Sequence, residues 1–258
     1  MEHARSFGSE AERYDAYRPG YAPDAVRWAL GRRPLRVADL GAGTGILSRL
    51  LRDLGHDVVA VEPDDRMRHR LAEASPGVEV LTGTAEAVPL PAASVDAVVA
   101  GQAFHWFDPE RAPAEIARVL RPEGVFAALW NDADLGVPWT VRFVEIIDGA
   151  DAVTAGRPAV DLGPLFGPVA TAGFRHDIRM TPDGLVNLTM TRSPYLVGSA
   201  ADRRTLLDAV RRLTTTPDLA GRDHFPMPHV TRVHRATVLT GAPATARSSR
   251  SGWRVRPR

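Results

Sequence analysis

Apolar positions fall in short unbroken runs separated by amphipathic stretches, and this alternation holds from residue 35 to residue 130. Residues 35–40 read as a buried strand, and residues 46–51 follow at helical period. A second run, Asp57-Val58-Val59-Ala60-Val61, ends at Glu62 and Pro63. Asp64 then stands where an N-cap acid belongs, ahead of a helix over residues 65–74. Val78-Glu79-Val80-Leu81-Thr82 is a third strand, residues 95–100 a fourth and residues 125–130 a fifth. Asp108-Pro109 opens the helix between the last two, with Ile116, Val119 and Leu120 as its apolar stripe. Strands alternating with helices predict a doubly wound, mostly parallel α/β sheet whose ligand crevice lies at the carboxyl ends of the strands.

On either side the pattern is looser. Residues 9–20 are a polar lead-in carrying Tyr14, Tyr17 and Arg18, closed by Pro19-Gly20. It reads equally as an arm packed on the domain or as a lid. A short helix runs from Pro23-Asp24 to Leu30, where Gly31 closes it. Beyond residue 131 we expect a helix over 138–147, strands at 173–175 and 185–191, a helix over 202–213 and a final strand over 229–235. No repeat or linker marks a second globular unit, so residues 1–236 read as one domain.

The chemistry concentrates where strands end. Gly41-Ala42-Gly43-Thr44-Gly45 follows the first strand. Glycine lets backbone approach a ligand closely, and the first N–H groups of the next helix point into such a turn. The spacing is G-x-G-x-G, with Ile46 where the dinucleotide fingerprint G-x-G-x-x-G would have its third glycine. Glu62, at the end of the second strand, suits an acid that accepts the ribose hydroxyls of a nucleoside. Gly41, Glu62, Ala85, Gln102 and Asn131 end or follow five different strands and converge on one crevice. Met67, early in the next helix, can turn an apolar face to the same place.

Composition narrows the classes. The 258 residues are 44% hydrophobic and 24% charged, ordinary for a globular protein. No apolar run approaches the roughly 18 residues of a membrane span, and the start has no apolar signal core, which points to the cytoplasm. The chain has no cysteine, excluding disulfides, thiolate metal sites and a cysteine nucleophile. All basic residues are arginine, and five lie after residue 240 with no acid beside them. Of 32 basic residues that leaves 27 facing 31 acidic ones, a body charge of −4. This argues against a nucleic-acid partner. Residues 237–258 form a basic tail whose Ser/Ala/Gly/Pro/Arg composition is that of a disordered segment.

Taken together, Val37-Ala38-Asp39-Leu40-Gly41-Ala42-Gly43-Thr44-Gly45, Val61-Glu62-Pro63, Gly83-Thr84-Ala85-Glu86, Gln102-Ala103-Phe104-His105-Trp106-Phe107 and Leu120-Arg121-Pro122-Glu123-Gly124 resemble the class I S-adenosylmethionine-dependent methyltransferases, in particular the type 11 group. Tyr14-Asp15-Ala16-Tyr17-Arg18-Pro19-Gly20-Tyr21 is similar to that group's lead-in. The resemblance implies a Rossmann-like, seven-stranded sheet whose sixth and seventh strands form a reversed hairpin at one edge. It implies S-adenosyl-L-methionine as cofactor. Gly41 and Gly43 would approach its methionine part and Glu62 its ribose. Ala85 and Glu86 would border the adenine, Gln102 the methionine end, with Asp39, Pro63 and Met67 in the same cofactor-binding set. Many relatives carry Asp where Thr84 stands, and the stretch after residue 236 departs from the family's usual ending.

Methyl transfer from a sulfonium asks the protein chiefly for alignment, needs no metal, and uses a base only where the acceptor is protonated. His105 is the ionisable candidate for that base, although His-Trp-Phe also reads as packing under the next helix. Trp106, Trp130 and Tyr17 are candidates for the acceptor wall, with Tyr14, Arg18 and Asn131 beside them. The expectation is an enzyme acting on a small-molecule acceptor, its oligomeric state open. The rivals are a nicotinamide-dependent oxidoreductase and a non-catalytic or RNA-associated protein on the same scaffold.

Overall fold

A computed structural model of the protein describes residues 11–154 and 159–239. The chain opens with α1 (Ala11–Tyr17) and α2 (Pro23–Leu30). An alternating block follows: β1 (Arg36–Leu40), α3 (Ile46–Asp53), β2 (Asp57–Val61), α4 (Asp65–Ala74), β3 (Glu79–Leu81), β4 (Val95–Gly101), α5 (Arg111–Val119) and β5 (Leu120–Ala133). The remainder is α6 (Pro138–Asp148), α7 (Asp151–Thr154), β6 (Ala170–Met180), α8 (Pro182–Met190), α9 (Ser193–Val197), α10 (Ala200–Thr214) and β7 (Phe225–Thr237).

The seven strands form one sheet in the order β3-β2-β1-β4-β5-β7-β6. The first five are parallel, and β7 is antiparallel to both β5 and β6. Only β7 is therefore reversed. The antiparallel β6–β7 pair stands at one edge as expected, its two strands joined through α8, α9 and α10. Both faces of the sheet are covered, so side chains two apart along β1 go to the same layer and neighbours to opposite ones. Ala38 and Leu40 pack with Ile116 and Val119 of α5 and with Phe126. Val37 packs with Ala25, Val26 and Ala29 of α2 and with Leu47 and Leu51 of α3. A third cluster, centred on Phe143, Leu185, Leu188, Val210 and Met227, joins α6, α8, α10 and β7 into a cap.

One local expectation is corrected. Residues 185–191 are not a strand: residues 185–190 belong to α8 and Thr191 is its C-cap, while its N-cap Thr181 accepts from Gly184 N at 2.8 Å, with Pro182 in the first turn. Gly184, Leu185, Leu188 and Thr189 are its buried face, a helical spacing. Asp108 opens α5 as expected. Ala112 N donates to its carbonyl at 3.0 Å, and its carboxylate accepts from Glu110 N and Arg111 N, the two bonds of an N-cap. The regular span Arg111–Val119 starts later because Pro113 has no N–H to donate. Of the basic tail, Thr237 ends β7 and Val238 bridges to Phe166, while residues 240–258 lie outside the described residues. Among the described residues no helix is long and apolar enough to cross a membrane.

Candidate active site

The strand order reverses between β1 and β4, which leaves a crevice at their carboxyl ends, and the loops after β1 to β4 all open into it. There the structure has a cavity of ≈ 390 Å³. Its floor is Gly41 and Gly43 after β1, Glu62, Pro63 and Asp64 after β2, Met67 of α4, Thr84, Ala85 and Glu86 after β3, and Gly101, Gln102 and Ala103 at the end of β4.

The glycine loop is held from both sides. Gly41 N and Ala42 N donate to Val61 O at 2.9 and 3.2 Å, tying the loop to the end of β2. Glu62 then closes the clamp: Gly43 N donates to Oε2 at 2.8 Å and Asp64 N to Oε1 at 2.9 Å. Asp64 in turn caps α4 by accepting from Arg66 N and Met67 N. Burial raises the Glu62 pKa, the two backbone N–H groups oppose that rise, and the neighbouring Asp64 adds to it. Gly41 and Gly43 both have positive φ, +64° and +58°. A Cβ on Gly41 would lie 2.8 Å from Ala103 Cβ, whereas one on Gly43 would meet nothing within 4 Å. The first glycine permits close packing of two loops; the second leaves space at the cavity wall.

Across the crevice, Gln102 has φ +54°. It is pinned by its N–H to Leu129 O at 2.8 Å and its Nε2 to Asn131 O at 3.0 Å. A non-glycine residue in this region costs of order 1 kcal/mol, and such strain collects at functional sites. Phe104, His105 and Trp106 form a single 3-10 turn at the mouth. Trp106 is 46% exposed, and its ring lies 4.8 Å from that of His105. Trp130 Nε1 donates to His105 Nδ1 at 3.4 Å, a long hydrogen bond.

The cap side is supplied by Tyr14 and Arg18, by Asp148 at the end of α6, by Arg192 just before α9 and by Ser193 at its start. Arg18 donates Nε to Thr191 Oγ1 at 2.9 Å and Nη2 to Thr191 O at 2.6 Å, and its guanidinium sits 4.7 Å over the Tyr14 ring. Burial lowers its pKa to about 10, with the charge of Arg192 adding to the fall. Asp15 fastens α1 over the glycine loop: its carboxylate accepts from Arg49 Nη2 of α3 at 2.5 Å and Arg70 Nη2 of α4 at 2.9 Å.

Most expected site residues line this cavity, and four stand behind it. Asp39 is 1% exposed and accepts from Ser48 Oγ at 2.6 Å, while its Oδ1 has no partner. Burial raises its pKa to about 7, Ser48 opposing and Glu62 adding. Tyr17 packs against the cap cluster. Trp130 is buried beneath His105. Asn131 spans the lead-in and β7, donating Nδ2 to Gly20 O at 2.6 Å and accepting from Thr231 Oγ1 at 2.6 Å. Glu86 lines the cavity and also accepts from Asp108 N at 2.9 Å. Asp148, Arg192 and Ser193 were missed because no local pattern distinguishes them; only the tertiary position of the cap does.

Comparison with known proteins settles the family. A model of the family described as methyltransferase domain matches residues 38–128. An uncharacterised methyltransferase of Mycobacterium tuberculosis is 43% identical over 238 residues, covering 90% of this chain and 96% of that one. The chain belongs to the class I S-adenosylmethionine-dependent methyltransferases. A candidate type II methyltransferase from Anaeromyxobacter dehalogenans of solved structure superposes with a TM-score of 0.63 at 25% identity, over 86% of this methyltransferase and 98% of its own chain. A malonyl-[acyl-carrier protein] O-methyltransferase of Methylococcus capsulatus is 39% identical over 104 residues, 38% of either chain.

Family and fold imply S-adenosylmethionine as the methyltransferase's cofactor, and the residues at the crevice fit it. Glu62 presents a mostly buried carboxylate in which each oxygen has used only one acceptor position on a backbone N–H. Gly43 leaves open space beside that carboxylate. Met67 and Ala85 add apolar surface for a planar ring.

Proposed function

We propose that this methyltransferase transfers a methyl group to a small-molecule acceptor bound between the strand ends and the cap. The observation that carries the reading is the size of the cavity and its cap. At ≈ 390 Å³ it falls in the range of small-ligand sites, and although partly open to solvent it is covered on one side by Tyr14, Arg18 and Arg192. The similarity to a malonyl-[acyl-carrier protein] O-methyltransferase spans little more than a third of the chain, so it supports the reaction class and leaves the acceptor to the geometry.

The bound cofactor supplies an electrophilic methyl group on a sulfonium that is already a good leaving group. The chain's own residues bind and align. Glu62 would hold the ribose, Gly41 and Gly43 would admit the methionine part, and Met67, Ala85 and Glu86 would border the adenine. Gln102 would flank the methionine end. Tyr14 and Arg18, strapped down through Asp15, exclude water from the reacting atoms. Fixing nucleophile and methyl in line provides most of the acceleration such a site can give. His105 would act as a base only by giving up the long Trp130 Nε1–H contact to its Nδ1, in the tautomer that carries its proton on Nε2.

The test is to incubate the protein with methyl-labelled cofactor and a cell extract split into small-molecule, nucleic-acid and protein fractions. Label in the small-molecule fraction is the expected result. Label confined to RNA or protein overturns the reading, and cofactor binding without label in any fraction identifies a non-catalytic binding protein.

A further inference from the structure

Two arginines share the cap wall of the cavity, and they are not equivalent. Arg18 is satisfied by Thr191 and stacked on Tyr14. Arg192 is not. Its Nε is buried without a partner, and its guanidinium donates to no protein acceptor among the described residues. A buried charged donor left unmade is costly, and each one in a native structure calls for an explanation, a ligand that completes it among them. Asp148, the acid on the same wall, is exposed and ion-paired with neither arginine, leaving that end of the cavity with a net charge of one positive unit. The opposite end carries Glu62, Asp64 and Glu86. The cavity is therefore polarised, acidic where the nucleoside would lie and basic where the acceptor would enter.

We infer that the acceptor is a carboxylic acid, bound as its carboxylate by Arg192. This rests on the reading of the cavity as a methyl-transfer site. A guanidinium fork matches the planar carboxylate with two parallel hydrogen bonds. One carboxylate charge balances the net single positive charge of the cap wall, whereas a phosphate would bring nearly two. The chemistry closes without a base. A carboxylate oxygen attacks the methyl carbon, an O–CH3 bond forms as the S–CH3 bond breaks, and the bonding pair stays on sulfur. The carboxylate and sulfonium charges disappear together, leaving a methyl ester and a thioether. No proton moves, so the step asks for no base.

The experiment has a binding arm and a turnover arm. S-adenosylhomocysteine is titrated into the wild type, Arg192→Gln and Arg192→Lys. A panel of small mono- and dicarboxylic acids (benzoate, phenylacetate, malonate, succinate) is then titrated into each loaded protein, with the matching amides, amines and phenols alongside. The same panel is assayed with methyl-labelled cofactor, scoring label released as methanol by alkali. The inference predicts saturable binding of acids but not amides, alkali-labile label, and at least a tenfold loss of acid affinity in Arg192→Gln. S-adenosylhomocysteine affinity should stay within about twofold, and Arg192→Lys should recover part of the loss. Preference for amines or phenols, no acid binding at millimolar concentration, or an unchanged acid affinity in Arg192→Gln overturns it. Failure of the wild type to bind S-adenosylhomocysteine would instead strike the methyl-transfer reading itself.

Discussion

Two glycines two residues apart in the same loop should respond to the same substitution in opposite ways. In Gly41→Ala the new side chain must adopt φ +64°, which costs roughly 1–2 kcal/mol for an L-residue. Its Cβ would also sit 2.8 Å from Ala103 Cβ, well inside the usual carbon–carbon contact of about 3.5–4.0 Å. Ala103 has no rotamer with which to yield, so the loop must shift, at about 1–3 kcal/mol. Gly41→Ala should therefore lose about 2–5 kcal/mol, and the melting midpoint should fall by roughly 5–15 °C for a domain of this size. In Gly43→Ala the backbone cost is similar at φ +58°, but the Cβ meets nothing within 4 Å. Its midpoint should fall by only a few degrees, while the methyl occupies cavity space beside Glu62 and weakens S-adenosylhomocysteine by tenfold or more. Thermal melts and calorimetric titration of both variants separate the two effects. Gly43→Ala binding the ligand within about twofold of wild type, or losing as much stability as Gly41→Ala, would refute the placement of the loop.

Glu62→Gln puts an amide NH2 against one of two backbone N–H groups, so a charge-assisted bond is lost and two donors face each other. S-adenosylhomocysteine affinity should fall by roughly tenfold or more, as expected for about 1.5–3 kcal/mol; a change within twofold in calorimetry contradicts this. Asp39, raised to about 7, keeps its proton in the folded state where the unfolded residue, near 3.9, has lost it. Its contribution to stability is complete below about pH 4 and disappears as the pH rises through 7, a span worth about 4 kcal/mol. Asp39→Asn should flatten that part of the urea-unfolding profile between pH 4 and 8, and an unchanged slope relative to wild type would count against it. Asp15→Ala releases Arg49 and Arg70. Hydrogen exchange should then lose protection in Ala11–Tyr17 while β1 amides stay unchanged, and equal protection in both proteins would show that Asp15 is no strap.

The parallel half was legible because its signals are local and repeated. A strand buried on both faces reads as an unbroken apolar run, and Val37 and Ala38 do go to opposite cores. The clamp at Glu62 was visible as an acid ending an apolar run, since a polar group there must face the crevice. Asp39 looked similar but lies one residue before the strand end, and its side chain turns to Ser48 instead of the cavity. Trp130 and Asn131 lie near the carboxyl end of β5, yet one is buried under His105 and the other bonds Gly20 and Thr231. Position at a strand end brings a residue near the crevice; the direction of its side chain decides whether it lines it. Residues 185–191 misled because Val186 and the threonines suit strands, while the cap at Thr181 and the docking of Leu185 and Leu188 into the third cluster impose a helix. Arg192 had no sequence signal, since its meaning depends on α8 and α9 returning over loops more than a hundred residues earlier.

The most direct test of the account is a calorimetric titration of the purified protein with S-adenosylhomocysteine, with NAD and NADP run in parallel. The account predicts saturable micromolar binding of S-adenosylhomocysteine alone, abolished or strongly weakened in Gly43→Ala. No binding of S-adenosylhomocysteine, or binding only of a nicotinamide dinucleotide, would contradict it.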